Sequence, residues 1–350
     1  MIVLVCVMLD MALAYELNLF VTTMPIQYAA RQFWIQAPGH AEIVSTQLAP
    51  RQEGEVLVRA LFSGISRGTE SLVFRGEVPP SQYSTMRAPF QEGEFSGPVK
   101  YGYSSVGVVE EGPSTLEGRT VFCLHPHQDV YIVPAEAAHI IPDSVPVNRS
   151  VLAANMETAV NIVWDARPTV GDSIVIIGAG VVGLLAATLC RDVPGTTVTV
   201  VDPNESRATV AETLGLTYRS DAPVSSSADL VIHASGNPAG LRTALAVAGV
   251  EATVIEASWY GIHEVALPLG EAFHARRLTI KSSQVGRVTA DRVPRWTRAS
   301  RLILALDLLS DDRLDALVTE ESEFEDLPTV MAALSGDPGD TLFHRIRYDL

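Results

Sequence analysis

The segment SIVIIGAGVVGLLAATLC, residues 173–190, sets Gly178, Gly180 and Gly183 in the spacing G-x-G-x-x-G, directly after an apolar run and directly before a helix-forming one. In that context each glycine has its own steric task. Gly178 makes the tight turn, Gly180 admits a pyrophosphate to the backbone, and Gly183 lets the helix close on its strand. The first N–H groups of the helix, around Val181 and Val182, then face the phosphates. The next apolar run, TVTVVD, ends in Asp202, 19 residues beyond Gly183. A carboxylate there accepts the adenosine ribose hydroxyls and repels a 2′-phosphate, so NAD is favoured and NADP is the alternative. Arg207 argues the other way, because a guanidinium five residues on can lie over the adenine or reach a phosphate. A plainer reading of Asp202 is a turn residue ahead of Pro203.

A second stretch, KYGYSSVGVVEEG at 100–112, places Tyr101, Tyr103, Ser104 and Ser105 at a glycine-rich bend running into a strand. It offers phenols and hydroxyls, which can hydrogen-bond a substrate oxygen, and no metal-binding side chain among those four. A third, VFCLHPHQDV, carries Cys123, His125, His127 and Asp129 at every second position. On a strand the four share one face, and all are metal-ligand types. Pro126 interrupts the strand, however, and residues two apart on one strand cannot wrap a tetrahedron. A pocket-lining loop or ordinary packing is the competing reading, and no metal is assigned.

Two textures position these groups. From Met24 to about residue 150 the chain shows short alternating strands, clearest in EVLVRALF, and reads as an all-β domain. From about Val151 to 290, helix-length segments alternate with apolar runs (SIVIIG, TVTVVD, DLVIHASG, ATVIEAS, LTIKSSQVG), the pattern of a doubly wound parallel sheet buried on both faces. Ligands bind at the carboxyl ends of such strands, so Ser235, Ser258 and Gln284 are expected to bracket the nicotinamide, with Trp259 and Tyr260 nearby. A helix, RASRLILALDLL, and a last strand, TLFHRIRYDL, fall in 291–350.

Bulk properties exclude several classes. The 350 residues carry 41 Asp+Glu against 25 Lys+Arg, a formal charge of −16, which repels nucleic acid and anionic membranes. Three cysteines without C-x-x-C spacing give neither a disulfide framework nor a cysteine zinc site, and point to the cytosol. The apolar stretch 1–23 has no Lys or Arg before Arg31, and Asp10 and Glu16 interrupt it, so it is read as a dispensable extension rather than a signal or an anchor.

The β-domain, the dinucleotide motif and the return to the first domain together resemble the medium-chain dehydrogenase/reductase family, from Met24 to the C-terminus. The resemblance implies a chaperonin-10-like β-barrel catalytic domain (24–150, rejoined by 291–350) beside a Rossmann domain (151–290), and a homodimer acting on a small molecule. FSGISRGTESL resembles the family segment holding a zinc-ligand cysteine, and KYGYSSVGVVEEG resembles its G-H-E-x-x-G-x-V segment. Ser66 stands where the cysteine would be, Tyr103 where the histidine would be, and Ser104 where the glutamate would be. Glu157, in AANMETAVN, is the counterpart of the third ligand, and only eight residues separate Phe122 from Tyr131, too few for the family's four-cysteine lobe. Zinc is therefore not expected. The resemblance implies an NAD(P)-dependent oxidoreductase, with Ser66, Thr69 and Tyr103 supplying the oxyanion contacts and Glu157 orienting them or accepting a proton. SGISRGTE and the G-Y in place of G-H are also similar to the bacteriochlorophyllide dehydrogenase branch. An enoyl or quinone reductase, or a non-catalytic nucleotide-binding relative, are the alternatives.

Overall fold

The structure is a computed structural model that describes residues 27–223, 227–337 and 339–349. The extension 1–23 lies outside the described residues. Strand β1 (Tyr28–Ala37) pairs antiparallel with β2 (His40–Leu48), and with β4 (Glu92–Gly93) and β5 (Val99–Lys100) they make one small sheet. A larger sheet is centred on β3 (Glu55–Ile65), which pairs along one edge with β6 (Ser105–Glu111), followed by β7 (Thr120–Cys123) and β9 (His139–Ile140).

The other edge of β3 is shared. Its first half meets β8 (Val130–Pro134), and its second half, beyond a register shift at Ala60/Phe62, meets the C-terminal strand β17 (Phe343–Arg347), which is flanked by β16 (Val318–Glu323). The irregularity bends the strand enough to serve two partners. Among the described residues this all-β part is two sheets and not the closed barrel that the resemblance implied. Alternation holds as expected: Val56, Val58 and Ala60 are buried in one cluster with Val109 and Tyr131.

The second half is a parallel sheet of order β12-β11-β10-β13-β14-β15, where β10 is Ser173–Ile177, β11 Thr197–Val201, β12 Thr217–Arg219, β13 Ala228–His233, β14 Ala248–Glu256 and β15 Thr279–Ser282. The reversal of direction at β10 is the switch point where such sheets take ligands. Ile174, Ile176, Val200 and Ile232 are fully buried, as continuous apolar strands covered on both faces must be. Helix α1 (Arg67–Phe74) follows β3, and α2 (Ala153–Ala166) leads into the parallel sheet. α3 (Val181–Arg191), α4 (Arg207–Thr213) and α5 (Pro238–Val247) are its crossovers. α6 (Arg298–Asp307) packs on α2, and α7 (Leu327–Gly336) on α1. Among the described residues no helix is long and apolar enough to cross a membrane.

Candidate active site

Two sets of residues make up the candidate site, one on each half of the chain. On the parallel sheet, Gly178 turns the chain at φ +109°, where a side chain would press on the Ser235 backbone at 2.7 Å. A Cβ on Gly183 would fall 2.0 Å from the Gly178 carbonyl oxygen, so the helix reaches its strand only through glycine. Gly180 differs: nothing lies within 4 Å of its Cβ position, and it caps α3 without any side-chain bond. The N–H groups of Val181 and Val182 therefore start a buried helix beneath open space, the arrangement that receives a pyrophosphate.

Asp202 sits at the end of β11, where its Oδ2 accepts the Ala179 N–H at 2.8 Å and its Oδ1 the Asn204 N–H at 2.9 Å. Each oxygen retains a lone pair for a ribose hydroxyl. These residues fit a dinucleotide. Arg207 corrects the sequence reading: it is buried, and its guanidinium donates to the Asp340 and Thr341 carbonyls, so it does not lie free beside the adenine. The cause is the C-terminal return of the chain, which passes over the start of α4.

Ser235 and Ser258 follow β13 and β14 at the carboxyl edge of the same sheet. Ser235 Oγ meets His233 Nε2 at 2.6 Å, and the ring's Nδ1 meets Glu256 at 2.8 Å. Ser258 Oγ accepts the Gly236 N–H at 3.0 Å. Glu256 also accepts the Ser258 N–H and the Tyr260 hydroxyl, so a His–Glu pair that sequence reasoning missed fixes both loops. Tyr260 is held protonated by burial and by the Glu256 charge. Trp259 packs on the core of the β-domain. Gln284 is exposed just after β15.

On the other half of the chain, Ser66 is the N-cap of α1, yet its hydroxyl makes no cap bond. Glu70, one turn on, does that job by accepting the Ser66 N–H at 2.7 Å, which leaves the Ser66 hydroxyl free to turn elsewhere. Tyr103 lies close enough for both Ser66 and Thr69 to act on its phenol, so the three hydroxyls named from the sequence are neighbours. Burial first, and the Glu70 charge second, push the Tyr103 phenol well above its ordinary range, so it keeps its proton. Its ring stands edge-on to Tyr101, with centroids 6.0 Å apart.

Behind the hydroxyls runs a buried polar chain absent from the sequence reading. Glu70 Oε2 meets His127 Nε2 at 2.9 Å, His127 Nδ1 meets Ser63 Oγ at 2.7 Å, and Ser63 meets the Tyr348 hydroxyl at 2.9 Å. Gly102, at φ +131°, is what allows the tyrosine loop to lie on this ring: a Cβ would fall 2.9 Å from the His127 ring. A signal existed in the four-residue spacing of Ser66 and Glu70, but not in the pairing of Glu70 with His127, 57 residues away.

The metal-type cluster does not converge. His125 stacks on Tyr131 at 3.9 Å and burial holds it neutral, its pKa lowered to about 3; His127 goes to Glu70, and Asp129 to Arg31 at 2.9 Å. Burial pushes the Cys123 thiol up to about 12. Among the described residues no three His, Cys, Asp or Glu side chains are grouped to hold an ion. Ser104 donates to the Val151 carbonyl, and Glu157 is displaced from its expected role. It is buried and paired with Arg301 of α6 at 3.1 Å, so it faces α6. The residue of α2 that does approach Ser66 is Asn155, whose Nδ2 lies 3.4 Å from the serine hydroxyl. Hydroxyls and an amide are not a zinc donor set.

No protein-family model matches the chain. It is 23% identical over 347 residues to the 2-dehydro-3-deoxy-L-galactonate 5-dehydrogenase of Pseudoalteromonas atlantica, covering 89% of this chain and 95% of that protein. It is 25% identical over 221 residues to the zinc-type alcohol dehydrogenase-like protein YdjJ of Escherichia coli K12, covering 52% and 60%. Among solved structures, the alcohol dehydrogenase RspB of Escherichia coli CFT073, complexed with NADH, superposes with a TM-score of 0.69 at 19% identity over 91% of this chain and 99% of that one. The chain is similar over nearly its whole length to alcohol dehydrogenase-like medium-chain dehydrogenases/reductases and shares their fold. The match to dehydrogenases and reductases supports an NAD(P)-dependent oxidoreductase.

Proposed function

We propose that this oxidoreductase exchanges hydride with an alcohol or carbonyl carbon while the Ser66, Thr69 and Tyr103 hydroxyls, rather than a metal ion, hold the substrate oxygen. The observation that carries the reading is the nearness of those three hydroxyls to one another and to the buried Glu70–His127 pair. When bound, the nicotinamide supplies the hydride acceptor or donor. In the oxidation direction the substrate loses a hydride from carbon and a proton from oxygen, and the proton needs a destination in the protein. Tyr103, whose phenol keeps its own proton, serves as a hydrogen-bond donor and not as the base. Glu70, which accepts the Ser66 N–H and meets His127, is buried in the same corner, and we assign to this pair the proton that leaves past the Ser66 and Thr69 hydroxyls. Reduction runs the same path backwards.

Two expected results test this. The purified protein should hold well below one zinc per chain, and chelators should leave its thermal stability unchanged; elemental analysis showing one tightly held zinc per chain would overturn the metal-free reading. Separately, NAD is taken as the preferred cofactor. Asp202→Ala should weaken NADH binding more than NADPH binding and shift the preference about tenfold or more, since a charge-assisted hydrogen bond contributes about 1.5–3 kcal/mol. The same variant also loses the bridge between Ala179 and Asn204, but that loss is common to both cofactors and cancels in the ratio. Equal weakening in calorimetric titrations would show that Asp202 is not the selector. A cytosolic homodimer acting on a small molecule belongs to the same reading; Cys123 and Cys190 are buried and unpaired.

A further inference from the structure

The chain's charge is unevenly distributed. Between Arg276 and Arg301 there are eight Lys and Arg residues and a single acidic one, Asp291, in a protein whose formal charge is −16. Asp291 is paired with Arg167 at 2.8 Å, and Arg301 with Glu157. Arg287, Arg295 and Arg298 are exposed, Arg292 is half-buried, and among the described residues none of the four forms an ion pair with a carboxylate. Arg292 lies over the Trp164 ring at 5.3 Å, and Trp164 packs on Trp296 at 5.0 Å, so an aromatic shelf accompanies the cations.

This strip starts where the last strand of the parallel sheet ends. It follows β15 at the carboxyl edge of the parallel sheet, and the buried Arg301 guanidinium ties its first residues down by donating to the Val285 and Arg287 carbonyls while it holds Glu157 and Asn161 of α2. α2, whose Asn155 meets Ser66, also holds the start of this loop through Asn161, whose Nδ2 donates to Ser283 Oγ at 3.1 Å and to the Gln284 carbonyl at 3.4 Å. Arg292 reaches the last turn of α2 at Trp164. A cationic strip at the carboxyl edge of the sheet in an otherwise acidic protein concentrates anions there, and guanidinium groups bind carboxylate and phosphate by paired hydrogen bonds.

We infer that the substrate of this enzyme carries an anionic group, a carboxylate or a phosphate, received by Arg287, Arg292, Arg295 and Arg298 while its hydroxyl or carbonyl reacts at Ser66, Thr69 and Tyr103. The inference rests on the reading of that hydroxyl corner as the reacting site. Glycerol 3-phosphate and glycerol are the probes, titrated calorimetrically into the NAD-saturated protein at low and high salt. The phosphate ester should bind where glycerol does not, its affinity should fall steeply with salt, and Arg287→Ser/Arg295→Ser should weaken it about tenfold or more while leaving NAD affinity unchanged. Equal binding of both probes, an unaffected double variant, or a parallel loss of NAD affinity, which would make the strip a cofactor contact, overturns the inference. Binding is read without turnover. Arginine-dependent binding with no change in nicotinamide absorbance for any alcohol would therefore uphold the anion site and count against the hydride-transfer reading alone.

Discussion

Tyr103→Phe should lower the rate of hydride transfer about 10²–10³-fold while leaving cofactor affinity nearly unchanged, because one positioned donor to a developing oxyanion contributes on that scale. The substitution is close to isosteric. The ring keeps its edge-on contact with Tyr101, and only the hydroxyl near Ser66 and Thr69 is lost. Those two hydroxyls can turn to one another or to water, so the stability cost should be about 1 kcal/mol. Tyr103→Ala, by contrast, opens a hole in a half-buried position and should cost about 3 kcal/mol. The pH behaviour separates donor from base. The phenol is held protonated above its ordinary range of about 10, so it does not titrate between pH 6 and 9, and the shape of the rate profile there should be the same in the wild type and the Phe variant. Single-turnover kinetics read both quantities. A Phe variant as fast as the wild type would make Tyr103 a space-filler where the family resemblance implied a histidine.

What the sequence disclosed and what it concealed divide along a physical line. The motif Gly178, Gly180 and Gly183 is legible because each position is dictated by backbone contacts a few residues away, and any side chain at Gly183 collides with Gly178 itself. Strand alternation in 55–61 is legible for the same reason, since burial on one face acts at a period of two. The hydroxyl corner was reached through the family resemblance, which placed Ser66 and Tyr103 together. The groups behind it were concealed. Glu70 finds His127, and Arg207 finds residues 340–341, only because β3, β8 and β17 bring distant chain segments to one sheet. Glu157 shows the cost of arguing from one position at a time. It stands at the right place on α2, but a buried carboxylate takes the nearest guanidinium, and α6 supplies one.

That guanidinium yields the largest stability effect expected in the molecule. Arg301 is 1% exposed and donates to Glu157, to Asn161 Oδ1 and to the Val285 and Arg287 carbonyls, so it joins α6 to α2 and to the loop after β15. Arg301→Met fills much of its volume but strands a buried carboxylate, and such a break costs about 3–5 kcal/mol. The sign of its pH dependence follows from the partner. Burial raises the Glu157 carboxyl above its ordinary value, and the Arg301 charge opposes that rise; with the charge removed, the carboxyl rises further. A folded state that holds the proton more tightly than the unfolded one loses stability as pH climbs from the unfolded value, about 4.3, through the raised folded one. The Met variant should therefore be least penalised in acid, show the full penalty once Glu157 must ionise, and regain part of its stability in Arg301→Met/Glu157→Gln, which removes the stranded charge. Denaturant unfolding of the three proteins across pH measures this. If the single variant's penalty is independent of pH and the second substitution restores nothing, Arg301 acts through packing and its carbonyl contacts, and the ion pair with Glu157 is incidental to holding α6 in place.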